Sequence, residues 1–198
     1  MNNSNYTTDI TRHLKTSHEA LGDALSDPDF VAAVADAATL VANALRAGKK
    51  VLIAGNGGSA ADAQHLATEL MVRFYLDRAP LPAIALGTDA SCATAIGNDL
   101  GFDHLFSRQV LALGNEGDVF IALSTSGRSS NILAACDAAR KRRMRVIGFT
   151  GSRRGPMDES CDILVRAPSD KTPLIQQVYM AAGHALCEIV ERELATAR

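Results

Sequence analysis

Five short apolar runs, 51–54, 83–86, 119–123, 146–149 and 163–165, each bounded by turn residues, alternate with segments of helical periodicity, and that alternation leaves few folds open. Runs apolar throughout, rather than at every second position, suit strands buried on both faces. Helices are expected over 60–74, 104–113 and 131–143, with a long one from 173 to about 196. Strand followed by helix, repeated, gives parallel strands joined by crossovers that cover both faces. The expected fold is a three-layer, doubly wound α/β domain with a five-stranded parallel sheet in the order 2-1-3-4-5.

Ahead of the sheet, a polar lead-in is followed by a helix over 27–47, which sets Phe30, Val34, Ala37, Val41 and Leu45 on one stripe and stops at Gly48. With 198 residues, 47% of them hydrophobic, the chain can bury one sizeable core. No linker, repeat or low-complexity tract divides it. A single domain over 1–198 is expected, comprising an N-terminal helical segment (1–48), a sheet core (49–170) and a C-terminal helix (171–198).

A formal net charge of −2, from 20 basic and 22 acidic residues, supplies no global field for nucleic acid or an anionic membrane, so neither is an expected partner. Any anionic ligand must be held locally. Cys92, Cys136, Cys161 and Cys187 form no C-x-x-C pair and read as reduced, packed thiols. The polar stretch 1–12 lacks the apolar core of a signal peptide, and no later segment reads as membrane-spanning, so a cytoplasmic location is expected.

In open parallel sheets, ligands bind beyond the carboxyl ends of the strands that flank the reversal in winding, here the first and third. The first is followed by Gly55-Asn56-Gly57-Gly58-Ser59 and the third by Ser124-Thr125-Ser126-Gly127-Arg128-Ser129, and each stretch opens a helix. Phosphate oxygens only accept hydrogen bonds, so a turn of hydroxyls with free N–H groups at a helix start suits them. Ser126 or Ser129 could simply cap that helix. Four hydroxyls in six residues exceed what a cap needs.

Gly55, Gly57 and Ala60 also fit the dinucleotide fingerprint G-x-G-x-x-[GA]. The acidic partner at the end of the second strand is missing, because Asp89 lies 34 residues after Gly55 and Asp77 precedes the strand. With no G-K-[ST], a nucleoside-triphosphate loop is excluded too. Asn56, held between glycines, is better suited to offer its amide to sugar hydroxyls.

On the helix that starts at this loop, His65 and Glu69 lie one turn apart within roughly 40° of each other. Asp62 and Arg73 share their arc, while Ala63, Ala67, Leu70 and Phe74 face the core. A solvated polar face would look the same. On the last helix Gln176 and His184 share an arc with Met180 and Gly183, and a lone helical histidine is more often structural.

Taken together, Gly55-Asn-Gly-Gly-Ser-Ala-Ala-Asp-Ala-Gln-His65, Glu69, Gly97-Asn-Asp-Leu-Gly-Phe102, Ser124-Thr-Ser-Gly127, Ile175-Gln176 and His184 resemble the sugar isomerase (SIS) domain superfamily, and within it the phosphoheptose isomerases. The resemblance spans nearly the whole chain. It implies isomerisation of sedoheptulose 7-phosphate to D-glycero-D-manno-heptose 7-phosphate, the first step towards nucleotide-activated heptoses of surface polysaccharides. It also implies a homotetramer. Position by position, it implies phosphate binding by Ser124, Thr125, Ser126 and Ser129, and sugar contacts from Asn56, Gly57, Gly58, Glu69, Asn98, Asp99 and Gln176. His65, Glu69, Gln176 and His184 correspond to the family's divalent metal site, usually zinc.

Ketose–aldose interconversion through an enediol needs a base, an acid at the neighbouring oxygen and stabilisation of developing charge. Glu69 is assigned as base and His184 as acid. Eight residues of helix rise about 12 Å, so Gln176 and His184 can share an ion only if both stretch, or one serves a neighbouring subunit. Two rivals follow from the same resemblance: a non-catalytic tetrameric relative that binds the replication initiator or senses sugar phosphates, and an isomerase or deaminase of hexose phosphates. The run Arg140-Lys141-Arg142-Arg143 is read as complementing a helix C-terminus rather than binding nucleic acid.

Overall fold

A computed structural model describes residues 3–195. The polar lead-in is helical: α1 runs Asn3–Ser26. Thr11, Thr16 and Ser17 turn their hydroxyls back onto carbonyls one turn earlier, at 2.8–3.0 Å. Its second half is anchored through buried Ala20 and Ala24. Helix α2, Pro28–Arg46, begins at an N-cap, Asp27, whose carboxylate accepts from the N–H groups of Asp29 and Phe30. Its stripe of Val34, Ala37, Val41 and Leu45 is buried as expected. At 19 residues and mean hydropathy 1.3, α2 is long and apolar enough to cross a membrane, contrary to the expectation that no segment is. Its apolarity is spent on the core, where that stripe packs against the sheet.

The strands β1 (Val51–Gly55), β2 (Ala83–Ala85), β3 (Val119–Leu123), β4 (Arg145–Thr150) and β5 (Ile163–Arg166) form one parallel sheet in the order β2-β1-β3-β4-β5. This is the expected order. Side chains alternate between the faces: Ile53, Ile121 and Ile147 pack under α2 and two further helices, α3 (Gly58–Met71) and α8 (Thr172–Ala195). Leu52, Phe120 and Val146 pack on the other face under α5 (Leu105–Leu113) and α6 (Ser130–Lys141). A large apolar side chain so buried contributes about 1.5–3 kcal/mol, which is why β1 and β3 carry apolar residues at consecutive positions. The expected end of the last helix, near 196, lies outside the described residues.

Four details were not anticipated. Helix α4, Ala90–Asp99, starts on an Asp89 cap and buries only Ile96, so it has little apolar periodicity to read. A 3-10 turn, Phe102–His104, precedes α5, and a one-turn α7, Met157–Ser160, precedes β5. Helix α3 ends at Met71 instead of reaching 74, for a tertiary reason given below. At the far end of the sheet, buried Asp118 accepts from the N–H groups of Lys50 and Asn115 and pairs with Lys50 Nζ at 2.5 Å, tying β1 to β3. Burial pushes its carboxyl up, but these donors outweigh that and hold it below the ordinary range.

Candidate active site

Both loops lie at the carboxyl ends of β1 and β3, neighbours in the sheet. Gly57 has φ of 56° and Gly127 of 63°, backbone that a side chain would strain. The turn after β3 is not consumed by capping. Ser129 occupies the N-cap position of α6, yet its hydroxyl makes no capping bond and pairs with Ser124 Oγ at 3.1 Å. Ser126 Oγ accepts from the N–H of Arg128. Among the described residues, the N–H groups of Thr125, Ser126 and Ser129 have no acceptor. Hydroxyls and free N–H groups at the start of a twelve-residue helix make an anion cradle. Beside it a cavity of about 150 Å³ is lined by Thr125, Ser126 and Ile175, with Arg128 and Arg153 among its walls.

Asn56 is tied to the neighbouring loop. Its amide exchanges two hydrogen bonds with Asn131, both 2.9 Å, and Asn131 is buried at the start of α6. The pair bolts the glycine loop to the serine turn. Asn131 was not foreseen; its only sequence signal is an amide following the serine turn. Gly58 faces Gln176, whose Nε2 would lie 2.4 Å from a Cβ placed there, so a side chain at this position would displace the Gln176 amide. Ser59 Oγ and Tyr179 OH share a buried hydrogen bond of 2.5 Å, a second tie between α3 and α8. Burial pushes the Tyr179 phenol up to about 12 despite that bond, so it stays neutral.

One turn further along α3, Asp62 is half-buried with Oδ2 unpartnered among the described residues. Burial raises its carboxyl above the ordinary range, partly offset by the Tyr179 hydroxyl and by His65. His65 and Glu69 follow on the same arc, with His65 Nε2 3.2 Å from Glu69 Oε1. From α8, His184 Nε2 lies 2.8 Å from His65 Nε2. One ligand atom from each of the three lies within 4.8 Å of the others. Two imidazole nitrogens and a carboxylate oxygen are a donor set suited to a divalent transition metal such as zinc.

Gln176, expected as a fourth ligand, also stands on α8. It lies against Gly58, about 12 Å along α8 from His184 by helical rise. Asn98 and Asp99, expected at the sugar, end α4 and bond each other at 2.7 Å while exposed. The basic run at the end of α6 is spent locally: Arg140 donates to the Glu159 carbonyl, Arg142 to that of Gly114, and Arg143 pairs with Glu116.

A buried brace closes this region. Glu191 on α8 accepts from the N–H groups of Phe74, Tyr75 and Leu76 at 2.6–2.8 Å and from Arg78 Nε at 3.0 Å. Arg78 in turn donates to the carbonyls of Glu69 and Leu70, both at 2.9 Å. The Leu70 carbonyl would take the Phe74 N–H if α3 continued. Because Arg78 and the N–H of Leu81 take it instead, the helix ends at Met71. Burial pushes the Glu191 carboxyl up, but its four donors prevail and hold it below the ordinary range.

The profile of the SIS domain family matches residues 18–151. A phosphoheptose isomerase of Rhodospirillum rubrum is 57% identical over 84% of this chain and 88% of its own length. One from Burkholderia pseudomallei is 50% identical over 93% of this chain and 94% of its own. Among solved structures, a phosphoheptose isomerase from Francisella tularensis superposes with a TM-score of 0.89 at 38% identity, covering 94% of this chain and 98% of that one. Another, from Neisseria gonorrhoeae, gives 0.88 at 40% identity, covering 94% and 99%. Matched in sequence over most of its length and in fold to these relatives, the chain belongs to the SIS domain family and, within it, to the phosphoheptose isomerases.

Proposed function

We propose that this chain interconverts sedoheptulose 7-phosphate and D-glycero-D-manno-heptose 7-phosphate through an enediol, the first step towards nucleotide-activated heptoses, in the cytoplasm. The observation that carries the reading is the convergence of Glu69 with His65 and His184, a carboxylate and two imidazoles drawn from different helices. A non-catalytic sugar-phosphate binder needs the serine turn but not this trio.

Ser124, Thr125, Ser126 and Ser129, with the free N–H groups of their turn, hold the phosphate end. Asn56, Gln176 and the backbone of Gly57 and Gly58 line the path along the sugar, with Asn98 and Asp99 at the end of α4 joining them. At the carbonyl end, Glu69 takes the proton from C1 as the C1–C2 double bond forms, and the carbonyl electrons move to O2, which receives a proton from His184. His184 then accepts the O1 proton as the C1 carbonyl forms, and Glu69, whose captured proton exchanges with solvent, delivers a proton to C2. His65, Glu69 and His184 would hold a divalent metal, with Gln176 as the expected fourth donor. When bound, the metal supplies Lewis-acid polarisation of the sugar oxygens.

We further propose a homotetramer with sites at its subunit interfaces. It is supported by an exposed apolar stripe at helical spacing on α1, Tyr6, Ile10, Leu14, Leu21 and Leu25, which a monomer would leave in water. Because Glu69 and His184 meet within one chain, mixed oligomers of Glu69→Gln and His184→Ala chains should recover no activity. Rescue would place those two residues in different subunits' sites.

The activity itself is tested by presenting the zinc-loaded protein with sedoheptulose 7-phosphate beside fructose 6-phosphate. Turnover of the heptulose, lost on chelation and restored by zinc, is expected. Preferential turnover of the hexose phosphate, or binding of either sugar without turnover, would overturn the reading.

A further inference from the structure

Two buried carboxylates in this molecule are built alike, each gathering backbone N–H groups and one cation. Asp118 does so at the end of the sheet remote from the ligand loops. Glu191 does so beside the histidine cluster. The trio is split between helices, His65 and Glu69 on α3 and His184 on α8, so its geometry depends on how those helices are held together. Glu191 stands on α8 two turns beyond His184, with its side chain only 2% exposed. Arg78, 4% exposed, links it to the carbonyl of Glu69 itself. The same carboxylate fixes the N–H of Phe74, whose ring rests against that of His184 with centroids 5.7 Å apart.

We propose that Glu191 and Arg78 are positioning residues for the isomerisation, setting the reach between Glu69 and His184 through the end of α3 and the Phe74 ring. The inference rests on the proposed reaction, since it assigns the brace to those two groups. Both side chains are buried, and neither bonds the serine turn. Loosening the brace should therefore misplace base and acid while leaving the phosphate anchorage as it was.

The test compares Glu191→Gln and Arg78→Lys with Asp118→Asn, assayed well below each variant's Tm. Glu191→Gln keeps the shape and removes the charge. Arg78→Lys keeps the charge and removes the guanidinium fork that reaches Glu69 and Leu70, and it serves alone if Glu191→Gln does not fold. Both brace variants should lose about 10-fold to 100-fold in kcat with KM for the sugar phosphate within about twofold, as expected for sub-ångström to 1 Å misplacement of reacting groups. Asp118→Asn should lower Tm comparably with kcat unchanged. A kcat within twofold of the parent in the folded brace variants, or an equal loss in Asp118→Asn, would overturn the positioning role. A parent enzyme with no isomerase activity would instead overturn the proposed reaction, and this inference with it.

Discussion

The serine turn and the histidine trio, the two ends of the proposed site, are constructed differently. The turn is a single stretch, Ser124 to Ser129, whose conformation is fixed by its own hydrogen bonds and by the start of α6. The trio needs residues 119 positions apart, and its shape is inherited from the packing of α3 on α8. A local turn can be reused by any protein that binds a phosphate. An assembly across two helices, held by Ser59–Tyr179 on one side and Glu191–Arg78 on the other, is specific to one chemistry and sensitive to changes away from it.

The largest effect should come from the trio. Glu69→Gln removes the assigned base while keeping its shape, and kcat should fall by about 10²–10⁴-fold with little change in KM, read by steady-state assay. A rise in KM alone would move Glu69 from chemistry to binding. At the other end, Ser126→Ala should raise KM while sparing kcat. Loss of one hydrogen bond to a charged group corresponds to about 1.5–3 kcal/mol, or roughly 10-fold to 100-fold.

The bolt between the loops should affect stability as well. Asn131→Ala leaves the Asn56 amide without its partner, at a cost of about 1–3 kcal/mol, which lowers Tm by about 2–10 °C for a chain of this size. Calorimetry measures it, and an unchanged Tm would mean that water replaces the bolt freely.

The smallest effect lies in acid. Glu191 is held below its ordinary range in the folded protein, so it binds a proton more readily unfolded than folded. Its contribution is complete above the ordinary glutamate range and is lost as pH falls through the depressed folded value. The Tm difference between the parent and Glu191→Gln should be constant near neutrality and shrink on acidification.

How much of this was legible in sequence follows from the same contrast. The sheet order and both loops could be read, because apolar runs and clustered glycines or hydroxyls are local signals. The ring of His65 could be paired with Glu69 by helical spacing, but its contact with His184 required the fold. The early end of α3 was hidden, since Glu191 that captures Phe74 to Leu76 lies 115–117 residues away. Helix α4 was missed because it turns almost no apolar side chain inward. The pairing of Asn56 with Asn131 was hidden because the two stand 75 residues apart.

The central claim is proton transfer between neighbouring carbons at a site that Glu69 and His184 share. It is tested most directly by running the zinc-loaded enzyme on sedoheptulose 7-phosphate in deuterated water and examining the aldoheptose product by NMR. Deuterium at C2, absent when Glu69→Gln replaces the parent, is the predicted result. Product that carries no deuterium at C2 even after prolonged equilibration of the two sugar phosphates on the enzyme would point to direct hydrogen transfer between the carbons and contradict the enediol account.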